Sequence, residues 1–149
     1  MNQSEELGHL IQGFTSSKGL TLEKIQSTLG KALVLNGTES DEYSQVFQAS
    51  HVGTVRGLLL EKIEFRQPGP KSKSTGFLII QISGSCYSKS SVENLYQPLQ
   101  LIQVPRGHSE HEQIAYKHEF TWGELSFGFS QSEPHCLVSI ALSPAHRDC

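Results

Sequence analysis

The chain has 149 residues, 36% apolar and 18% charged, the size and balance of one globular domain, which excludes a disordered chain. Its formal charge is −3, so the global basic field used by nucleic-acid binders is missing and no nucleic-acid partner is expected. No apolar run reaches the roughly 18–20 residues of a membrane span, and membrane insertion is not expected either.

Met1 to Glu6 is polar and acidic, without the basic start and apolar stretch of a secretory signal. The expected location is the cytoplasm, or the periplasm if a leader has been removed. Residues 4 to 14 place Leu7, Leu10, Ile11 and Phe14 at helical spacing, with Ser4 as N-cap and Glu5 and Glu6 in the first turn. A polar break, Thr15 to Gly19, precedes a second helix from Leu22 to Lys31. Thr21 caps it, Leu22, Ile25 and Leu29 form its stripe, and Gly30 ends it.

Strands follow. Val46 to Val52 is short and mixed. Gly57 to Phe65 places Leu59, Ile63 and Phe65 on one face, with Glu61 in the same register. Gln67 to Thr75 is a Pro/Gly/Ser/Lys loop and reads as a hairpin connection. Phe77 to Ser83 is nearly continuous apolar, which predicts a strand buried on both faces. Ser88 caps a third helix that turns Val92, Leu95 and Tyr96 inward and stops at Pro98. Gln103 to Gln113 is a polar loop. Ala115–Trp122, Glu124–Phe129 and Leu137–Leu142 are the last strands, and the tail from Ser143 is expected to be loose.

These elements predict an α+β fold: an antiparallel sheet with about three helices packed on one face, in a single domain, 1–149. The capped helix starts at Thr21 and Ser88, each followed by strands, suggest two tandem helix-then-strands units, 1–66 and 76–144, joined by the 67–75 loop.

The chemistry-bearing residues assemble no known motif. Cys86, Cys136 and Cys149 are odd in number and lack CxxC spacing, which argues against a disulfide framework or a zinc site. Cys86 and Cys136 each border a strand. Free thiols are the expectation for a reducing compartment, and a Cys86–Cys136 bridge is the alternative. His108, Glu110, His111 and Glu112 offer metal ligands, but the loop has no apolar stripe and reads as solvated. His108-Ser-Glu110 matches the first half of the zinc-deaminase signature, while the stretch after Pro134 lacks the second cysteine.

His135 precedes Cys136 but, as a strand neighbour, points to the other face. Gly84-Ser85-Cys86 lacks the second glycine of a nucleophile elbow. Gly123 to Gly128 lies on a strand, where it cannot cradle phosphate, and Arg66 to Lys73 carries three basic residues in a hairpin loop. Phe120, Trp122, Phe127 and Phe129 read as core. Trp122, beside a turn, is also a candidate exposed anchor. Glu39, Asp41, Glu42, Glu110 and Glu112 are candidates for an acidic patch that captures a basic partner. No catalytic residue, metal or cofactor is expected.

From Phe77 to Pro144 the sequence carries a strand into CYSKSSVENLY, then PRGHS with acidic residues, FTWGELSFGF and PHCLVSIAL. This pattern resembles the immunity proteins encoded beside type VI secretion toxins. The helix-then-strands plan also resembles the small lipoprotein and β-lactamase-inhibitor-like fold, whose tandem units bind enzymes on a sheet face. The resemblance implies a protein that binds a cognate toxin 1:1 and blocks it sterically. Two other readings compete: an envelope structural or assembly module with a Cys86–Cys136 bridge, and a small enzyme using Cys86 or the His108–Glu112 loop.

Overall fold

The structure, a computed structural model, describes residues 3–16, 19–55, 57–69, 76–84 and 86–144. The helices are α1 (Gln3–Thr15), α2 (Leu22–Leu29) and α3 (Lys89–Leu95). The strands are β1 (Val34–Leu35), β2 (Ser44–Val55), β3 (Leu58–Pro68), β4 (Phe77–Ile82), β5 (Tyr87–Ser88), β6 (Gln100–Gln103), β7 (Gln113–Phe120), β8 (Gly123–Ser130) and β9 (Cys136–Pro144). The fold is α+β and dominated by strand.

Capping chemistry sets two of the helices. Thr21 Oγ1 accepts a hydrogen bond from the Lys24 amide at 3.1 Å, and Gly30 closes α2 in the left-handed conformation at φ 66°. Ser88 Oγ accepts from the Ser91 amide at 3.2 Å and opens α3. Ser4 lies inside α1, after its first residue and not at the N-cap position. Leu7, Leu10, Ile11 and Phe14 are all buried, so the stripe read from sequence is the face that packs. In α3, Val92 is buried, but Leu95 near the helix end remains exposed.

The sheet runs in the order β1-β2-β3-β4-β9-β8-β7-β6 with every pairing antiparallel, and β5 attaches to β9 beside this path. Its centre is two three-stranded meanders, β2-β3-β4 and β7-β8-β9, joined where β4 meets β9, with β1 and β6 at the outer edges. β3 runs to Pro68, beyond the start expected for the loop, and pairs antiparallel with β4, so the two strands form a hairpin. The chain leaves the first meander after Ile82 and enters the second at Gln113. Lys71 and Lys73 of the basic cluster, Ser17 and Lys18 of the polar break, Ser85 and Cys149 lie outside the described residues. The tail expectation is corrected in part, because β9 continues to Pro144.

One face of the sheet holds the core. Ala49, Ile63, Ile80, Ile140 and Phe127 lie in register across five strands, and Phe65, Leu78, Leu142 and Leu125 form the next row. These side chains join the buried residues of all three helices in a single cluster. Phe127 and Phe129 are fully enclosed, and burying such a ring contributes on the order of 1.5–3 kcal/mol. Tyr96 stacks on Phe127, and Tyr116 meets Phe129 edge-on.

Two sequence expectations about strand faces fail for physical reasons. In β3 the buried set is Leu58, Leu60, Ile63 and Phe65, while Leu59 is exposed. A register shift between Leu60 and Lys62 moves the inward face by one residue, which strict alternation cannot foresee. In β4, Leu78, Ile80 and Ile82 are buried, but Ile79 is half-buried and Gln81 exposed. That strand is covered on one face, not two.

Candidate functional site

The opposite face of the sheet carries no helix among the described residues. Its middle row is Gln48, Glu64, Ile79, Ala141, Ser126 and Lys117. The next row is Lys62, Gln81, Ser139, Gly128 and Ala115. Small side chains fill the centre, on β9 and β8, and longer polar ones stand at the flanks.

Each flank is a hydrogen-bonded or paired network. Gln48 Nε2 donates to Glu64 Oε1 at 3.0 Å and to Glu39 Oε2 at 3.3 Å, and Arg66 Nε donates to Glu64 Oε2 at 3.0 Å. Burial pushes the Glu64 carboxyl up, but the hydrogen bonds from Gln48 and Arg66 outweigh it and hold the group below the ordinary carboxylate range. On the other flank, Lys117 Nζ lies 3.4 Å from Glu119 and 3.8 Å from Glu124. The charges of the face are therefore mixed and paired. Ser139 Oγ donates to Gln113 Oε1 at 2.6 Å. A Cβ at Gly128 would collide with Gln113 Oε1 and Ser139 Oγ, so only glycine lets Gln113 lie across the strand there. Beside this bridge is an open depression of about 690 Å³, lined in part by Gln81, Gln113, Val138, Ser130, Glu110 and Glu112.

The six sequence-picked residues do not form one patch. The strand register puts Glu39, Asp41 and Glu42, before β2, at the same end of the sheet as Trp122 in the β7–β8 turn. Glu110 and Glu112, before β7, lie at the opposite end. Several are engaged within the chain. Asp41 Oδ1 accepts from the amides of Tyr43 and Ser44 at 2.8 and 3.0 Å. The Glu112 carboxylate accepts from the amides of Arg106, His108 and Ser109 at 2.6–3.0 Å, and these bonds hold it below the usual carboxylate range. Trp122 packs edge-on against Phe120 and sits under Lys24 Nζ, 5.2 Å from the ring centre. Burial at that contact lowers the Lys24 ammonium. Glu110 pairs with His111 at 3.7 Å, both nearly fully exposed.

The cysteines give the clearest departure from the free-thiol expectation. Cys86 and Cys136 are joined in a disulfide, held by the pairing of β5 with β9. His135 lies in the turn before β9, not on the strand, so strand alternation does not govern it. Its ring stands with the two sulfurs in a cluster whose ligand atoms lie within 4.8 Å of one another. Sequence spacing conceals this cluster, because its cysteines are 50 positions apart. No helix among the described residues is long and apolar enough to cross a membrane. Compared with protein-family models, curated proteins and solved structures, the chain matches none.

Proposed function

We propose that the chain is a binding protein that neutralises a secreted antibacterial toxin, as immunity proteins do, and that the toxin seats 1:1 on the uncovered sheet face. The observation that carries this reading is the face itself: a broad antiparallel surface that carries no helix among the described residues. Its low centre at Ala141 and Ser126 gives room for a partner's protruding side chains, and its flanks offer polar groups already fixed by their own networks. Preorganised groups lose little freedom on binding. Neutralisation of this kind is steric and transfers no chemical group. The tandem-unit resemblance is a fold-level analogy and supports the reading only as such.

The test is affinity purification of the tagged chain from its native host, with the eluate identified by mass spectrometry. A secreted toxin at equal stoichiometry is expected, lost in Ala141→Arg and Ser126→Arg but kept in Glu23→Gln on α2. A chain that elutes alone, or arginine variants that keep the toxin while folding normally, would contradict it.

The Cys86–Cys136 bond favours a second reading, an envelope module in an oxidising compartment, where such bonds persist. Thiol trapping in rapidly quenched cells separates the two states. Complete trapping of Cys86 and Cys136 as free thiols would contradict the envelope reading.

A further inference from the structure

The corner where α3 leaves the sheet brings together two sulfurs, an imidazole and a carboxylate. Cys86, His135 and Cys136 place their ligand atoms within 4.8 Å of one another, and Glu133 Oε2 lies 3.6 Å from Cys136 Sγ. Backbone bonds fix the corner: the Cys136 amide donates to the Glu133 carbonyl at 2.9 Å, and the Lys89 amide donates to the His135 carbonyl at 2.8 Å. Tyr87 pairs with Leu137 and Ser88 with Cys136, which holds the Cys86 segment against β9. Cys136 is buried, whereas Cys86 and His135 are exposed, so an ion can reach the cluster from solvent.

We infer that this corner is a redox-gated zinc site: with the Cys86–Cys136 bond intact it is closed, and with the bond reduced Cys86, Cys136 and His135 bind Zn²⁺, Glu133 completing the set. The chemistry of the donors selects the metal. Two thiolates, one imidazole and one carboxylate are the ligands of a tetrahedral zinc centre, with Zn–S of about 2.3 Å and Zn–N and Zn–O of about 2.0–2.2 Å. In the disulfide each sulfur spends its bonding capacity on the other. Cleavage frees both, and the exposed Cys86 side chain can turn to open the gap a metal ion fills.

The balance is simple. A phosphine attacks the disulfide, takes the oxygen of one water to become a phosphine oxide, and leaves two thiols. Zn²⁺ then displaces the two thiol protons. Either state, bond or metal, ties the entry of α3 to β9, so this link persists while the charge and ligands of the corner change. The site is separate from the sheet face and independent of the toxin reading.

The experiment uses the full chain with Cys149→Ser, which removes the third thiol. The protein is reduced with a phosphine, desalted without oxygen and titrated with Co²⁺, then Zn²⁺. The expected result is one equivalent of Co²⁺ with thiolate-to-cobalt charge-transfer bands and the strong visible bands of a four-coordinate site, displaced by Zn²⁺, and no such spectrum in the oxidised protein. His135→Ala, which leaves both cysteines in place, should weaken binding at least tenfold. Cys86→Ser should abolish the two-thiolate spectrum. A reduced protein without these bands, bands of equal strength in the oxidised protein, or an affinity unchanged by His135→Ala would overturn the site.

Discussion

Ile80 of β4 lies directly across from Ile140 of β9, both buried, at the seam where the two meanders of the sheet meet. Each is also in register with a buried neighbour in its own meander, Ile63 and Phe127. The seam is therefore a row of apolar contacts that neither half can bury alone. Ile80→Ala or Ile140→Ala should each cost about 2–5 kcal/mol in urea unfolding. The double variant should depart from additivity, since the two side chains share one cavity. Losses well below 1 kcal/mol would mean the seam is not the core.

Tyr87 of β5, which pairs with β9, ties that strand to α1. Its Oη accepts the Leu7 amide at 3.3 Å. Burial pushes its phenol up to about 12, the amide bond opposes this, and the nearby Glu6 charge adds to it. The folded state thus favours the neutral phenol relative to the unfolded chain, whose tyrosine ionises near pH ~10. This stability is complete below that value and is lost as pH rises through about 12. Urea midpoints measured across the window should fall with pH, and Tyr87→Phe should flatten the fall. Tyr96, also raised by burial, supplies a remainder. An unchanged slope in Tyr87→Phe would contradict the assignment.

Glu112 organises the loop that sequence reading took as a solvated, partner-seeking segment. Its carboxylate collects three backbone amides, and its acidity is increased by those bonds. A depressed carboxyl contributes order above its ordinary range and loses it as pH falls through the folded value. Amide exchange at His108 and Ser109, taken relative to its intrinsic rate, should therefore accelerate as pH falls below the ordinary carboxylate range. Glu112→Gln should produce the same acceleration at neutral pH. Equal protection in both proteins would show that the loop is held by something else.

The Cys86–Cys136 bond closes a loop with a sequence separation of 50. The chain-entropy model assigns such a loop about 4 kcal/mol, and removal of a native bond typically costs about 2–5 kcal/mol. Cys136→Ser should lower stability by an amount in that range without zinc. A difference below about 0.5 kcal/mol, the scatter of neutral surface changes, would remove the bond from the account of stability.

The parts of the fold legible in sequence are those with a strong local signal. α1, α2 and α3 follow from their apolar spacing and from Thr21, Gly30 and Ser88. β4, β7, β8 and β9 follow from apolar runs and alternation. The short strands β1, β5 and β6 escape notice, because two to four residues held only by a neighbour leave no periodicity. The register shift in β3 and the uncovered side of β4 are decided by tertiary pairing. The site was less legible than the fold. Acidic residues stand out in a sequence, yet Asp41 and Glu112 bind their own backbone, whereas Ala141, Ser126 and Gly128 carry no chemical flag. His135 beside Cys136 was visible, but its meaning depends on a turn that places it off the strand.

If a toxin sits on the uncovered sheet face, growth protection depends on Ala141 and Ser126. Cells producing the toxin recovered with the chain would be supplied with the wild-type protein, Ala141→Arg, Ser126→Arg or Glu23→Gln, each checked for folding by its unfolding midpoint. Wild type and Glu23→Gln should restore growth while both arginine variants, folded and equally abundant, fail. Full protection by Ala141→Arg and Ser126→Arg would contradict it.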